Sequence, residues 1–125
     1  MPDLDDVRRI ARGLPETVES GDVFRLTVRG RAICWTWLER LGPKLPRQAR
    51  PEVLAVRVAG LLAKEDLLGI GGDVFFTEPH YDGFPAVLVR LPAIDDVLLE
   101  RVLTDAWRVQ APRDLVRDWD RPTPD

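Results

Sequence analysis

The chain has one histidine, one cysteine and one serine, and that inventory decides which chemistries are open to it. His80 stands beside Tyr81 in a segment bounded by Pro79 and by Gly83-Phe84-Pro85. A histidine donates, accepts and titrates near neutrality, so the pair is a candidate binding site as well as an ordinary structural hydrogen-bonding group. Ser20 lacks the strand-turn-helix setting of a nucleophile elbow and has only His80 as a base, which speaks against hydrolase chemistry. Cys34 falls in a strand pattern, where a thiol behaves as a small apolar residue. One His and one Cys far apart do not make a zinc set, so no metal and no other cofactor is expected, and carboxylates alone would hold a hard cation only weakly. Asp5-Asp6 and Asp95-Asp96 are better explained as helix-start charges than as a catalytic carboxylate pair. Gly69-Ile70-Gly71-Gly72-Asp73-Val74 follows a helical pattern and precedes a strand, the reverse of what pyrophosphate binding at a helix N-terminus needs. No catalytic set emerges, and the chain is expected not to be an enzyme.

What remains is a matter of cations, and their placement depends on the elements that carry them. Leu4, Val7, Ile10, Ala11 and Leu14 recur at helical spacing behind acidic residues, predicting a first helix ended by Gly13 and Pro15. From Val23 the period changes to two, through Phe24, Leu26 and Val28, and after a turn at Gly30 it resumes at Ile33, Trp35 and Trp37, predicting a hairpin. The stretch from Gly42 to Pro51 holds Pro43, Pro46 and Pro51 and is expected to be an exposed loop, made basic by Lys44, Arg47 and Arg50. A third strand over Val53 to Val58, a helix over Leu61 to Leu68, a strand at Val74 to Thr77, a turn from Pro79 to Pro85 and a strand from Ala86 to Leu91 follow. Asp95 then caps a long helix to about Gln110, with Ile94 and Leu99 as a hydrophobic staple, and Pro112 starts a last helical turn or two. Residues 1–120 are therefore expected to form a single domain, with 121–125 a frayed tail. This order predicts an α+β two-layer sandwich, helices on one face of a mainly antiparallel five-stranded sheet.

Strand alternation then gives the most specific expectation. If Phe24, Leu26 and Val28 face the helices, Arg25 and Thr27 face away; Ala55 and Arg57 follow on the third strand, and Leu88 and Arg90 on the last. Arg25, Arg57 and Arg90 would share a helix-free floor among small residues such as Thr27, Ala55 and Cys34, able to grip phosphate or carboxylate bidentately. The same arginines would equally suit a solvated face or a dimer interface. Trp35, Trp37, Trp107 and Trp119 are all able in principle to stack nucleobases; Trp107 is expected in the core, Trp35 and Trp37, on one strand face with Ile33, are expected there too unless the hairpin edge projects as a wing, and Trp119 is left open as a lid.

The middle of the chain, Val74-Phe75-Phe76-Thr77-Glu78-Pro79-His80-Tyr81-Asp82-Gly83-Phe84-Pro85-Ala86-Val87-Leu88-Val89-Arg90-Leu91, resembles the most distinctive segment of the MmcQ/YjbR family. Leu14-Pro15 before an acidic stretch, Phe24 to Gly30, Ala106-Trp107 and Ala111-Pro112-Arg113 agree in order with the same family. The resemblance implies a small α+β domain of the secretion-chaperone-like, double-wing fold, and a DNA-binding role. The acidic segment at Glu16 to Asp22 is shorter than the family's, Arg57 stands where the family has lysine, and the proline-rich basic loop departs from it.

Composition sets the outer limits. The formal charge of -3 argues against coating nucleic acid by bulk attraction and leaves only a local basic face. Arg outnumbers Lys 16 to 2, which fits planar bidentate recognition and fits codon bias as well. No apolar run is long enough to span a bilayer, so no membrane partner is expected, and one cysteine with an acidic start points to the cytoplasm. The functional expectation is a non-enzymatic module that binds nucleic acid, with DNA as the candidate partner, through Arg25, Arg57, Arg90, His80, Tyr81, Lys44, Arg47 and Arg50. A protein-interaction or dimerisation domain, monomer or homodimer, is one alternative, and a small anionic ligand bound near His80 is another.

Overall fold

A computed structural model describes residues 2–121. Helix α1, Leu4–Ala11, starts on Asp3, whose carboxylate accepts from the backbone N–H of Asp5 and Asp6 while Asp6 accepts from Asp3 N at 3.0 Å. This reciprocal box meets donors that the helix cannot, and the helix buries Val7, Ile10 and Ala11. Strands β2, Arg25–Val28, and β3, Arg31–Arg40, are joined by Arg29 and Gly30, both at positive φ, the tight hairpin geometry that matches strand twist. Before them runs a three-residue strand not expected from the sequence, β1, Thr17–Glu19, paired antiparallel with β2.

Strand β4, Arg47–Arg57, leads into α2, Leu61–Leu68; β5, Phe75–Phe76, and a 3-10 turn at Pro79–Tyr81 precede β6, Ala86–Arg90. Helix α3, Asp96–Gln110, is capped by the Asp95 carboxylate on Leu98 N at 2.7 Å, and α4 spans Arg113–Asp120. The six strands form one antiparallel sheet in the order β1-β2-β3-β4-β6-β5. The α+β two-layer architecture is the expected one, with β1 raising five strands to six.

All four helices pack on one face. Val7, Leu99, Leu103, Trp107 and Leu115 meet Leu26, Ile33, Leu54, Val56, Val87 and Val89 in a continuous core. Polar atoms caught there are satisfied: Trp107 Nε1 donates to Pro15 O at 2.9 Å, and Gln110 Nε2 to Ala32 O at 2.8 Å. Trp119, 39% exposed, lies over Trp107 with ring centroids 5.3 Å apart. Of the expected frayed tail, 122–125 lie outside the described residues.

Two irregularities in β3 correct the sequence expectations. Leu26 pairs with Cys34 but Thr27 with Ala32, so Ile33 is an extra, unpaired residue. A bulge of this kind reverses the phase of the pleat. Ile33 and Cys34 both enter the helix-side core, and Trp35 and Trp37 turn to the opposite face instead of joining Ile33. Cys34 is therefore core, not part of the open floor; it is fully buried, and that burial pushes its thiol pKa up. The second irregularity lies where Thr36 pairs with Leu54 but Trp37 with Arg50. Pro51, which lacks an N–H for the ladder, sits in this break. The proline-rich segment is consequently not a loop from Gly42 to Pro51: Arg47 to Arg50 continue β4 against Arg40, Glu39, Leu38 and Trp37, and the β3-β4 hairpin projects beyond its neighbours.

Candidate binding face

The register across the sheet places Arg25, Trp35, Ala55, Leu88 and Phe76 in one row on the helix-free face. Val53, Ala55 and Leu88 are fully or almost fully buried there because Trp35, Trp37, Phe76 and Tyr81 cover them, forming a second, smaller apolar cluster. Trp37 and Phe76 start on strands separated by β4 and β6, and lean over the cluster of Val53, Ala55 and Leu88 until their rings meet edge to face at 5.6 Å. The face is thus paved with aromatic rings instead of the small residues and guanidinium groups expected.

The segment after β5 supplies the rest. Glu78 caps the 3-10 turn by accepting from His80 N at 3.1 Å, which leaves the His80 side chain exposed and turns Tyr81 onto the sheet. There Trp35 Nε1 donates to Tyr81 Oη at 3.0 Å, and Phe84 meets the Tyr81 ring at 6.1 Å. Behind the turn, Lys64 of α2 donates through Nζ to Tyr81 O and to Phe84 O. Lys64 is 5% exposed and has no carboxylate within ion-pair distance among the described residues. Burial pulls its amine pKa below the ordinary lysine value, and the Asp82 charge opposes that shift in part.

Around the two tryptophans lie open depressions of 350 to 470 Å³. One joins Arg25 to Val23, Trp35 and Leu38. Another gathers Arg47, His80 and Tyr81 with Trp35, Glu78 and Phe84, bringing Arg47 of the basic segment to the His80-Tyr81 turn. The last holds Arg50 and Arg90 beside Trp37, Glu39 and Glu52. Arg50 is paired with Glu39 at 2.8 Å; Arg90 donates to Gly72 O at 3.2 Å with its guanidinium carbon 4.0 Å above the Phe76 ring. Arg25 and Arg47 form no ion pair among the described residues.

The expected triad of arginines does not converge. Arg57 pairs with Ala86 and Arg90 with Val53, so four residues of β4, about 13 Å of strand, separate their rows. Arg57 stands at the end of β4 against the Phe84 ring, 5.6 Å from its centroid, and lines a cleft between α2 and α3. Lys44 sits on the exposed hairpin tip and lines none of these depressions. Lys64 and Phe76 were not singled out from the sequence, and Trp35 and Trp37 were expected in the core instead of on this face. The unbroken apolar run Ala32-Ile33-Cys34 was the available signal that alternation fails before Trp35.

Among the described residues no three His, Cys, Asp or Glu side chains gather where they could hold a metal ion, and no helix is long and apolar enough to cross a membrane. No family model and no solved structure matches the chain. A protein of Mycobacterium tuberculosis and one of Mycobacterium bovis, each described as uncharacterized, are both 38% identical to it over 126 residues, covering 94% of this chain and 95% of theirs.

Proposed function

We propose that this chain, which belongs to one family with those mycobacterial proteins, is a non-enzymatic cytoplasmic module that binds single-stranded nucleic acid on its helix-free sheet face. The observation that carries the reading is the interleaving of rings and cations: Trp35 and Trp37 stand between depressions holding Arg25, Arg47 with His80, and Arg50 with Arg90. Aromatic side chains stack unpaired bases at about 1–3 kcal/mol each with little regard to sequence, while arginines take the phosphates. An open, ring-bearing sheet suits splayed bases, and a chain of charge -3 lacks the accumulated cations that coating a duplex requires. The resemblance of 74–91 to the MmcQ/YjbR family, of which we propose the chain is a member, accords with this reading.

The test is titration of intrinsic tryptophan fluorescence with oligothymidylate. Quenching that saturates, and weakens steeply as salt rises, is the expected result. Quenching that is absent or indifferent to salt would sink the proposal.

A second reading is favoured by Leu38, Leu41 and Leu45, which stand exposed on the projecting β3-β4 hairpin. They would suit a protein partner or a second copy. Strand addition is the less suitable mode, because the sheet edges, β1 and β5, are only three and two residues long. Light scattering across a range of concentration separates self-association from nucleic-acid binding.

A further inference from the structure

Where α3 gives way to α4, an open depression of about 670 Å³ is lined by Arg31, Arg108, Arg113 and Arg117 against a single carboxylate, Asp120. Four arginines facing one aspartate leave three positive charges together on a chain whose formal charge is -3. The side chains arrive from three elements. Arg31 pairs with Val28, whose side chain is in the helix-side core, so Arg31 leaves the sheet on that same side. Arg108 comes from the last turn of α3. Arg113, Arg117 and Asp120 stand at i, i+4 and i+7 of α4 and share one of its faces, while Leu115 of that helix turns into the core.

The acids of α4 are engaged elsewhere. Arg108 donates both of its Nη groups to Asp120, at 2.9 and 2.6 Å, Asp118 lies 3.0 Å from Arg121, and Asp114 lies 3.8 Å from Arg29. Arg31, Arg113 and Arg117 consequently have no carboxylate within ion-pair distance among the described residues. Helix α1 shows the contrary arrangement, Arg8 and Arg9 each meeting an acid one turn away. Like charges gathered without a counter-charge repel one another, and an anion shared among them would relieve that repulsion.

We propose that this depression binds a compact phosphate compound carrying three or more negative charges, its phosphates shared among the guanidinium groups of Arg31, Arg113 and Arg117. The guanidinium fork meets phosphate oxygens two at a time, which a point-like cation does not. The volume lies in the range of small-molecule sites and exceeds what one inorganic phosphate would fill. A free oligophosphate and the phosphate chain of a nucleotide share this chemistry. They differ in whether anything lies on the apolar part of the lining, Val109, Ala111 and Val116.

The measurement is calorimetric titration of the full chain with tripolyphosphate, inorganic phosphate and adenosine triphosphate. Tripolyphosphate is expected to bind roughly tenfold more tightly than inorganic phosphate, to raise the thermal unfolding midpoint, and to weaken as salt is added. Adenosine triphosphate equal to tripolyphosphate would assign the phosphate chain alone, and tighter binding would add a base on the apolar lining; either result supports the site. Arg31→Gln and Arg117→Gln, on different elements and checked for unchanged unfolding without ligand, should each weaken tripolyphosphate severalfold. Arg12→Gln, which removes an exposed charge after α1, should leave it unchanged. Equal weakening by all three variants would reduce the effect to general attraction and overturn the proposal, as would tripolyphosphate binding no tighter than inorganic phosphate. Displacement of tripolyphosphate by oligothymidylate, with Arg117→Gln weakening both, would also overturn it by making these arginines part of a nucleic-acid track. Loss of oligothymidylate binding in Trp35→Ala, with tripolyphosphate binding intact, would support two separate sites.

Discussion

Trp35 Nε1 donates to Tyr81 Oη at 3.0 Å, a bond that spans 46 residues of sequence and ties the middle of the sheet to the turn carrying His80. It is a half-buried contact, so its loss exposes an unmet indole N–H as well as removing a bond. We expect Tyr81→Phe to destabilise the fold by about 1 kcal/mol. Thermal unfolding should show a midpoint lowered by a few degrees, and an unchanged midpoint would mean that solvent replaces the hydroxyl freely.

Lys64 supports a pH prediction. Its folded-state pKa lies below the ordinary value of 10.5, so in the window beneath 10.5 the unfolded chain binds more protons than the folded one. Stability contributed at this position therefore rises as pH is raised through the folded pKa toward 10.5. The stability of the wild type relative to Lys64→Met, measured by urea unfolding at about pH 7 and about pH 10, should increase with pH. A difference that shrinks would contradict the burial of the ammonium. Lys64→Ala, which strands the carbonyls of Tyr81 and Phe84, should cost about 2 kcal/mol at neutral pH.

Cys34 is fully buried and its thiolate is suppressed by that burial. A thiol reagent at neutral pH should leave the native protein unmodified and label it at once in denaturant. Rapid labelling without denaturant would mean that the β3 bulge opens.

The nucleic-acid reading divides between two kinds of residue. Trp35→Ala should weaken oligothymidylate by about 1–3 kcal/mol at any salt concentration. Arg47→Ala should instead lower the slope of log affinity against log salt by roughly 0.7, the share of one phosphate on a single strand. Identical effects of the two substitutions would argue that both act through folding.

Local signals accounted for most of the architecture. Asp95 announced α3 because capping is a contact within one turn, and Gly30 announced its hairpin because positive φ is a local property of the turn. The shared turn of His80 and Tyr81 was legible for a similar reason, the two residues being adjacent in the sequence. β1 escaped notice because three residues, with Val18 56% exposed, carry no periodicity.

By itself the sequence determined the α+β class and the order of the main elements, since these follow from residue types and short-range patterns. Tertiary structure alone decided which face each ring and each arginine occupies. A bulge is agreed between two strands, at Leu26 and Thr27 on one side and Ile33 on the other, and one extra residue inverts every side chain beyond it. That inversion brought Trp35 and Trp37 out of the expected core, and strand register sent Arg57 and Arg90 to opposite ends of the face they were expected to share.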